Sequence, residues 1–220
     1  MISEEIKEIL IEQPELSFDE SSGQFIGKLF ISELDSYEIV VDLEPFPKHF
    51  PNVYEIGDRI PRKPSRHKYD DSDQCCLTTM AKAQVLIKTK VDSITKFFDL
   101  ILVPYFQNNS FYEINREYVQ GEYSHDGLGI LEGYQDILGI ENPFVITKVI
   151  QDRINGVKMT IRDGCFCGNG KTMKKCNTHL MNYRKFRHID KETLILDLIR
   201  IDNLINEYLM RVNSRKGIWG

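Results

Sequence analysis

The sequence predicts an α+β protein: an antiparallel meander flanked by helices, followed by a small cysteine-rich knuckle and a C-terminal helix. Three observations carry that expectation. QFIGKLFIS (24–32) and YEIVVDLE (37–44) are β-rich runs separated by ELDS, a hairpin signal. Apolar residues recur at helical spacing through Ile94, Phe97, Phe98, Ile101 and Leu102, and again through KETLILDLIRIDNLINEYLMRV (191–212). Between these helices, CFCGNGKTMKKCNTH gathers three of the five cysteines and a histidine into fifteen residues.

In chain order, SEEIKEILIEQ (3–13) reads as an amphipathic helix, with Ser3 as its N-cap, Ile6, Ile9 and Leu10 on one face, and Pro14 as its stop. The two β-rich runs follow. EPFPKHFPNVYEI (44–56) then carries prolines at 45, 47 and 51 and a short strand over 53–56. Residues 57–80 show no periodicity, the mark of a functional loop. Within that loop, residues 58–75 are expected to be ordered by His67 hydrogen-bonding to backbone. A helix is expected over 91–107, with Asp92 or Ser93 near its start. The aromatic stretch 105–123 is read as core. Glycines 127, 129 and 133 surround a short helix, PFVITKVIQDRI (143–154) forms another element, and Asn155-Gly156 makes a turn. Composition changes near residue 155, so the domains are expected at 1–150 and 151–220.

A chain of 220 residues buries roughly 70% of its unfolded surface and needs no disulfide framework. No apolar run is long enough to cross a membrane: the densest, 97–106, is interrupted by Asp99 and Pro104. The acidic N-terminus lacks the basic start and apolar core of a signal peptide. The five cysteines therefore point to a reducing cytoplasm, where they serve chemistry or metal. The net charge of −5 argues against bulk electrostatic binding to nucleic acid, although Lys171, Lys174, Lys175, Arg184, Lys185 and Arg187 make a local basic patch.

The order of helix, antiparallel strands, proline segment FPKHFP (46–51), loop, His67 and then Cys76-Leu77 resembles the ubiquitin-conjugating enzyme family, and in particular its divergent bacterial relatives in conjugation and anti-phage operons. The likeness covers roughly 1–140, including SFYEINREYVQGEYSHDGLGILEGY (110–134). It implies a UBC-like four-stranded antiparallel meander and an active thiol at Cys76, because Leu77 follows it; Cys75 has only its position to recommend it. Carrying an acyl group between proteins needs a thiol on an accessible loop. The family's Asn position is Tyr69 here, which makes Tyr69 a candidate oxyanion donor. Lys68 stands where the family has proline. Asp70, Asp71 and Asp73 are expected either to raise the thiol pKa and favour the protonated form of an incoming amine, or to orient a target lysine. The implied activity is transfer of a ubiquitin-like protein, or another protein C-terminus, to an amine, with a separate activating enzyme.

Cys165, Cys167, Cys176 and His179 make C-x-C-x8-C-x2-H, a donor set suited to tetrahedral zinc. The text CGNGKTMKKC resembles the SEC-C motif, with Asn169 in place of the usual Ser and His179 two residues further on than the usual fourth ligand. Four protein ligands leave no open position, so the metal is read as structural. No other cofactor is expected. His49, His125 and His188 are given no functional role. The alternative function is a non-catalytic, zinc-containing adaptor that binds a protein partner.

Overall fold

The computed structural model describes residues 2–119 and 124–216. The chain divides into two compact units, one of Met1–Thr78 with Leu86–Glu122 and the other of Thr79–Val85 with Tyr123–Gly220.

The first unit is a mixed α+β layer. Helix α1 (Ile2–Glu12) precedes four strands, β1 (Leu16–Asp19), β2 (Gln24–Ser32), β3 (Asp35–Asp42) and β4 (Asn52–Glu55). They form one antiparallel sheet in the order β1-β2-β3-β4. Ser3, expected as the N-cap, lies inside the first turn, and its side chain is outside the described residues. Strand side chains alternate between faces, so Phe25 and Leu29 of β2 and Tyr37, Ile39 and Val41 of β3 are all buried on one side. A helical run covers that side: α3 (Ile94–Phe97), a π-turn (Phe98–Leu102) and α4 (Val103–Asn115). Phe98 meets Phe25 at 5.3 Å between ring centroids, and Phe106 meets Tyr37 at 4.7 Å.

This helical run begins at Ile94 and extends to Asn115, rather than covering 91–107. Ser93 is its cap, with its hydroxyl accepting from the Lys96 amide at 3.1 Å. Pro104 does not end it. A proline inside a regular α-helix removes a donor and clashes with the carbonyl four residues back. Here the helix widens just before Pro104, where the Val103 amide bonds to the Phe98 carbonyl five residues back. Strand β1 carries no signal strong enough to be read from sequence, whereas the helical spacing that resumes at Ala81 forms a separate helix, α2 (Met80–Thr89).

The second unit is helical. It contains α5 (Asp126–Leu138), α6 (Pro143–Ile154), α7 (Asn177–Phe186) and α8 (Lys191–Lys216). The expected boundary at 150 is therefore displaced to 122/123. The reason is packing: Leu131, Tyr134 and Leu138 of α5 and Ile146 and Ile150 of α6 share one core with Met173, Phe186, Leu194 and Ile201. Ala81 and Val85 of α2 belong to this core as well. Beside them, the Gln84 amide donates to Asp190 Oδ2 at 2.5 Å and Thr193 Oγ1 at 2.9 Å, and its oxygen accepts from the Asp190 amide at 2.9 Å. Asp190 in turn caps α8 by accepting from the Thr193 amide at 2.7 Å.

In the first unit, the segment after β4 is ordered by a buried ion pair. Lys68 and Glu55 have fully buried side chains, with Nζ 2.8 Å from Oε2. Nζ also donates to the Glu55 carbonyl at 2.7 Å and lies 3.1 Å from Asp73 Oδ1. Burial pulls the Lys68 ammonium pKa down, but the hydrogen bonds and charges of Glu55 and Asp73 outweigh it, and the net shift is upward. The Glu55 carboxylate further accepts the amides of Gly57 at 3.0 Å, Arg59 at 3.2 Å and Ile60 at 3.1 Å. Lys68→Met leaves a buried carboxylate without its cation. It should destabilise the first unit by about 3–5 kcal/mol and strip hydrogen-exchange protection from the Glu55 and Cys75 amides. Protection at wild-type level in the variant would show that the pair does not hold the loop.

Candidate functional site

Backbone pairing builds the thiol site. The Cys75 amide bonds to the Val53 carbonyl at 2.8 Å, and the Glu55 amide bonds to the Asp73 carbonyl at 3.0 Å, so residues 73–75 run along the free edge of β4. The chain then pairs with itself. Lys68 lies opposite Cys75 in an antiparallel bridge, the Tyr69 amide bonds to the Gln74 carbonyl at 3.0 Å, and the Cys76 amide bonds to the His67 carbonyl at 2.7 Å. The nine-residue interval between His67 and Cys76 thus becomes a cross-strand contact. His67 supplies the turn: its φ of 51° lies in the left-handed region, directly after a 3-10 turn over Pro64–Arg66.

In an extended segment, successive side chains face opposite ways, and this separates the two cysteines. Cys75 is 5% exposed, and burial pushes its thiol up to about 12, against a smaller downward effect of a hydrogen bond with Tyr105. Cys76 is half-buried. Burial raises its thiol above the ordinary 9.0, and a hydrogen bond from the exposed Tyr69 hydroxyl opposes the rise. The structure brings Cys76, His67 and Tyr69 together.

The carboxylates behave differently from expectation. The rise at Cys76 comes from burial, not from neighbouring aspartates. Asp73 is bound to Arg62 through two bonds of 2.8 Å and to Lys68, and these contacts, Arg62 first, lower its pKa against the opposing effect of burial. It braces the loop and does not face the thiol as a free carboxylate. Asp70 and Asp71 are exposed. The His67 carbonyl orders the loop, accepting from Tyr105 Oη at 2.7 Å as well as from the Cys76 amide. Tyr105 was not legible as a site residue, because it comes from α4, far along the chain. The His67 ring meets Tyr118 at 5.3 Å.

A second cluster lies in the second unit. The ligand atoms of Cys165, Cys167, Cys176 and His179 all lie within 4.8 Å of one another and could hold a metal ion. Local folding brings them together. Gly164 pairs with Thr172, the Cys165 amide bonds to the Lys171 carbonyl at 2.8 Å, and Gly168 and Gly170 take φ of 73° and 74° in the turn between. Cys176 directly precedes α7, and one helical turn returns His179 to it, with Nδ1 3.0 Å from Sγ. Other separations are 3.5 Å from His179 Nδ1 to Cys165 and 3.9 Å from Cys167 to Cys176. A tetrahedral site with metal–sulfur bonds of about 2.3 Å has sulfur–sulfur edges of roughly 3.8 Å.

His179 Nε2 lies 3.2 Å from the Gly139 carbonyl, which only accepts. That places the imidazole proton on Nε2 and leaves the Nδ1 lone pair for a metal. The Asn169 amide donates to Cys176 Sγ at 3.4 Å. Burial raises the Cys176 thiol pKa, but its contacts with His179, Cys165, Asn169 and Cys167 outweigh it and hold the thiol at about 7. Gly139 was not identified as part of the site from sequence, since its contribution is a backbone carbonyl, and Asn169 was placed in the motif without a bond to the Cys176 sulfur.

Alkylation should distinguish the two loop thiols. Peptide mapping after iodoacetamide treatment should find Cys76 modified and Cys75 protected. The thiolate is the nucleophile, so a raised pKa means a rate that still climbs about tenfold per pH unit through pH 9, instead of levelling there. Tyr69→Phe removes the donor and should slow Cys76 further at fixed pH. Equal labelling of Cys75, or a plateau below pH 9, would contradict this geometry. Compared with models of known families, with curated proteins and with solved structures, the chain matches none.

Proposed function

We propose that the first unit is a thioester-forming carrier of the ubiquitin-conjugating type, with Cys76 as its nucleophile. The observation that carries this reading is the antiparallel pairing of 67–69 with 74–76. It presents one cysteine, hydrogen-bonded to Tyr69, at the edge of a four-stranded meander, while the adjacent cysteine is buried. The cargo is a ubiquitin-like protein or another protein with a free C-terminus, activated by a separate enzyme. The Cys76 sulfur attacks the activated carbonyl, the C–S bond forms and the activator's leaving group departs. The thiol proton passes to that leaving group or to solvent. A target amine then attacks the thioester, the C–N bond forms, the C–S bond breaks, and the thiol regains a proton. The Tyr69 hydroxyl is the donor available to the oxyanion at both tetrahedral stages. His67 acts as a positioning residue through its carbonyl.

The second unit binds one structural zinc through Cys165, Cys167, Cys176 and His179 in this reading. Thiolate and imidazole donors suit that ion, and four of them leave no position for a substrate. No helix among the described residues is long and apolar enough to cross a membrane. The free cysteines suit a reducing cytoplasm.

Trapping tests the carrier. Expressed with its native partners, wild-type chain should run with a protein adduct that is lost to thiol reductant. Cys76→Ser should convert it into a reductant-resistant, alkali-labile ester, Cys75→Ser should keep the reductant-sensitive form, and Cys76→Ala should lose it. An adduct unchanged in Cys76→Ala, or no adduct on any variant, would overturn the thioester and leave the adaptor.

Elemental analysis tests the metal, with an expected stoichiometry of about one zinc per chain. Cys165→Ser or His179→Ala should lower it, and chelation should lower the melting temperature of the second unit, because metal binding energy is folding energy. Metal-free protein with an unchanged melting curve would defeat the zinc assignment.

A further inference from the structure

We propose that the outer surface of the knuckle and α7 binds the phosphate backbone of nucleic acid without regard to sequence. Residues 164–189 hold six of the chain's 28 basic residues, Lys171, Lys174, Lys175, Arg184, Lys185 and Arg187, and none of its 33 acidic ones. All six are exposed. Among the described residues, none of them enters an ion pair. The bordering acids are occupied: Asp163 accepts the Thr160 amide at 2.6 Å, and Asp190 caps α8 and holds Gln84.

The cations sit on a fixed frame. Lys174 and Lys175 belong to a 3-10 turn, Met173–Lys175, that runs almost directly into α7. Helix α7 buries Tyr183 and Phe186, which leaves Arg184 and Lys185 on its solvent side. Cations that meet phosphates release the counterions condensed there.

The surface chemistry favours nucleic acid over an acidic protein. Protein interfaces use apolar anchors and are depleted in lysine. Here four of the six cations are lysine, and Met181 is the only large exposed apolar side chain in the segment among the described residues. Exposed Asn177 and Thr178 add uncharged donors of the kind that contact phosphate. The acidic character of the whole chain does not cancel the patch, since charges further apart than about 8 Å are largely screened at physiological salt.

Fluorescence anisotropy with a labelled 20-nucleotide DNA single strand and the full chain tests this. Binding should appear at 50 mM salt, and log K should fall with log salt at a slope of about −3 to −4, the upper figure being all six cations engaged. The triple variant Lys174→Gln, Arg184→Gln, Lys185→Gln should weaken binding at least tenfold and cut the slope to about −2. Its metal content and Cys76 alkylation should match wild type, which separates a lost surface from a lost fold and keeps the outcome independent of the thioester. No binding at about 100 μM protein, equal binding by the variant, or tighter binding of a glutamate 20-mer than of the oligonucleotide would overturn the proposal. The last result would assign the surface to an acidic protein.

Discussion

The Lys68–Glu55 pair is the contact on which the thiol site depends. Among the described residues, the chain between Glu55 and Cys75 buries one aliphatic side chain, Ile60, so apolar packing does little to hold it. One carboxylate instead gathers three amides and an ammonium. A charge with no water around it must find all of its partners in the protein. That requirement fixes Lys68 under β4, and once Lys68 is fixed, the pairing with Cys75 follows and Cys76 is turned the other way. The residue that fills the proline position of the resembled family is thus the anchor of the loop.

The two clusters use cysteine in opposite ways. Around Cys76 the environment keeps the thiol protonated: burial raises its pKa, and one phenol hydroxyl tempers the rise. Such a sulfur reacts slowly with stray electrophiles and is a poorer leaving group than an ordinary thiol. Around Cys176, imidazole, amide and neighbouring sulfur all favour the thiolate, the form a metal binds.

Legibility in the sequence followed how local each determinant is. Strand β2 is set by a pattern within its own residues and was read with its observed limits, and the limits of α6, though not its helical type, were read as well. The cluster of Cys165, Cys167, Cys176 and His179 was read because a turn, a short pairing and one helical turn bring the four together without long-range help. What escaped is what depends on distant partners. Strand β1 is four residues long and exists through its pairing with β2. Helix α2 was not separated from the helical run that follows it, because Ala81 and Val85 pack into the core of the second unit, which lies far along the chain. The division near 122 was missed for a related reason, since α5 and α6 reveal their allegiance only through the side chains they bury. Tyr105 and Gly139 join their sites from elsewhere in the chain, and one of them offers only a backbone oxygen.

Helix α2 has a practical consequence. Because Ala81, Gln84 and Val85 belong to the second unit and the residues after them to the first, the second unit is discontinuous in sequence. No single cut yields both units whole. A fragment ending at 122 keeps residues 79–85 yet discards their core, leaving Ala81 and Val85 facing water and Gln84 without Asp190 and Thr193. A fragment beginning at 123 opens a slot where they had lain. Circular permutants or chimeras that respect this division must carry residues 79–85 with the rest of the second unit, as an insert or a tethered peptide.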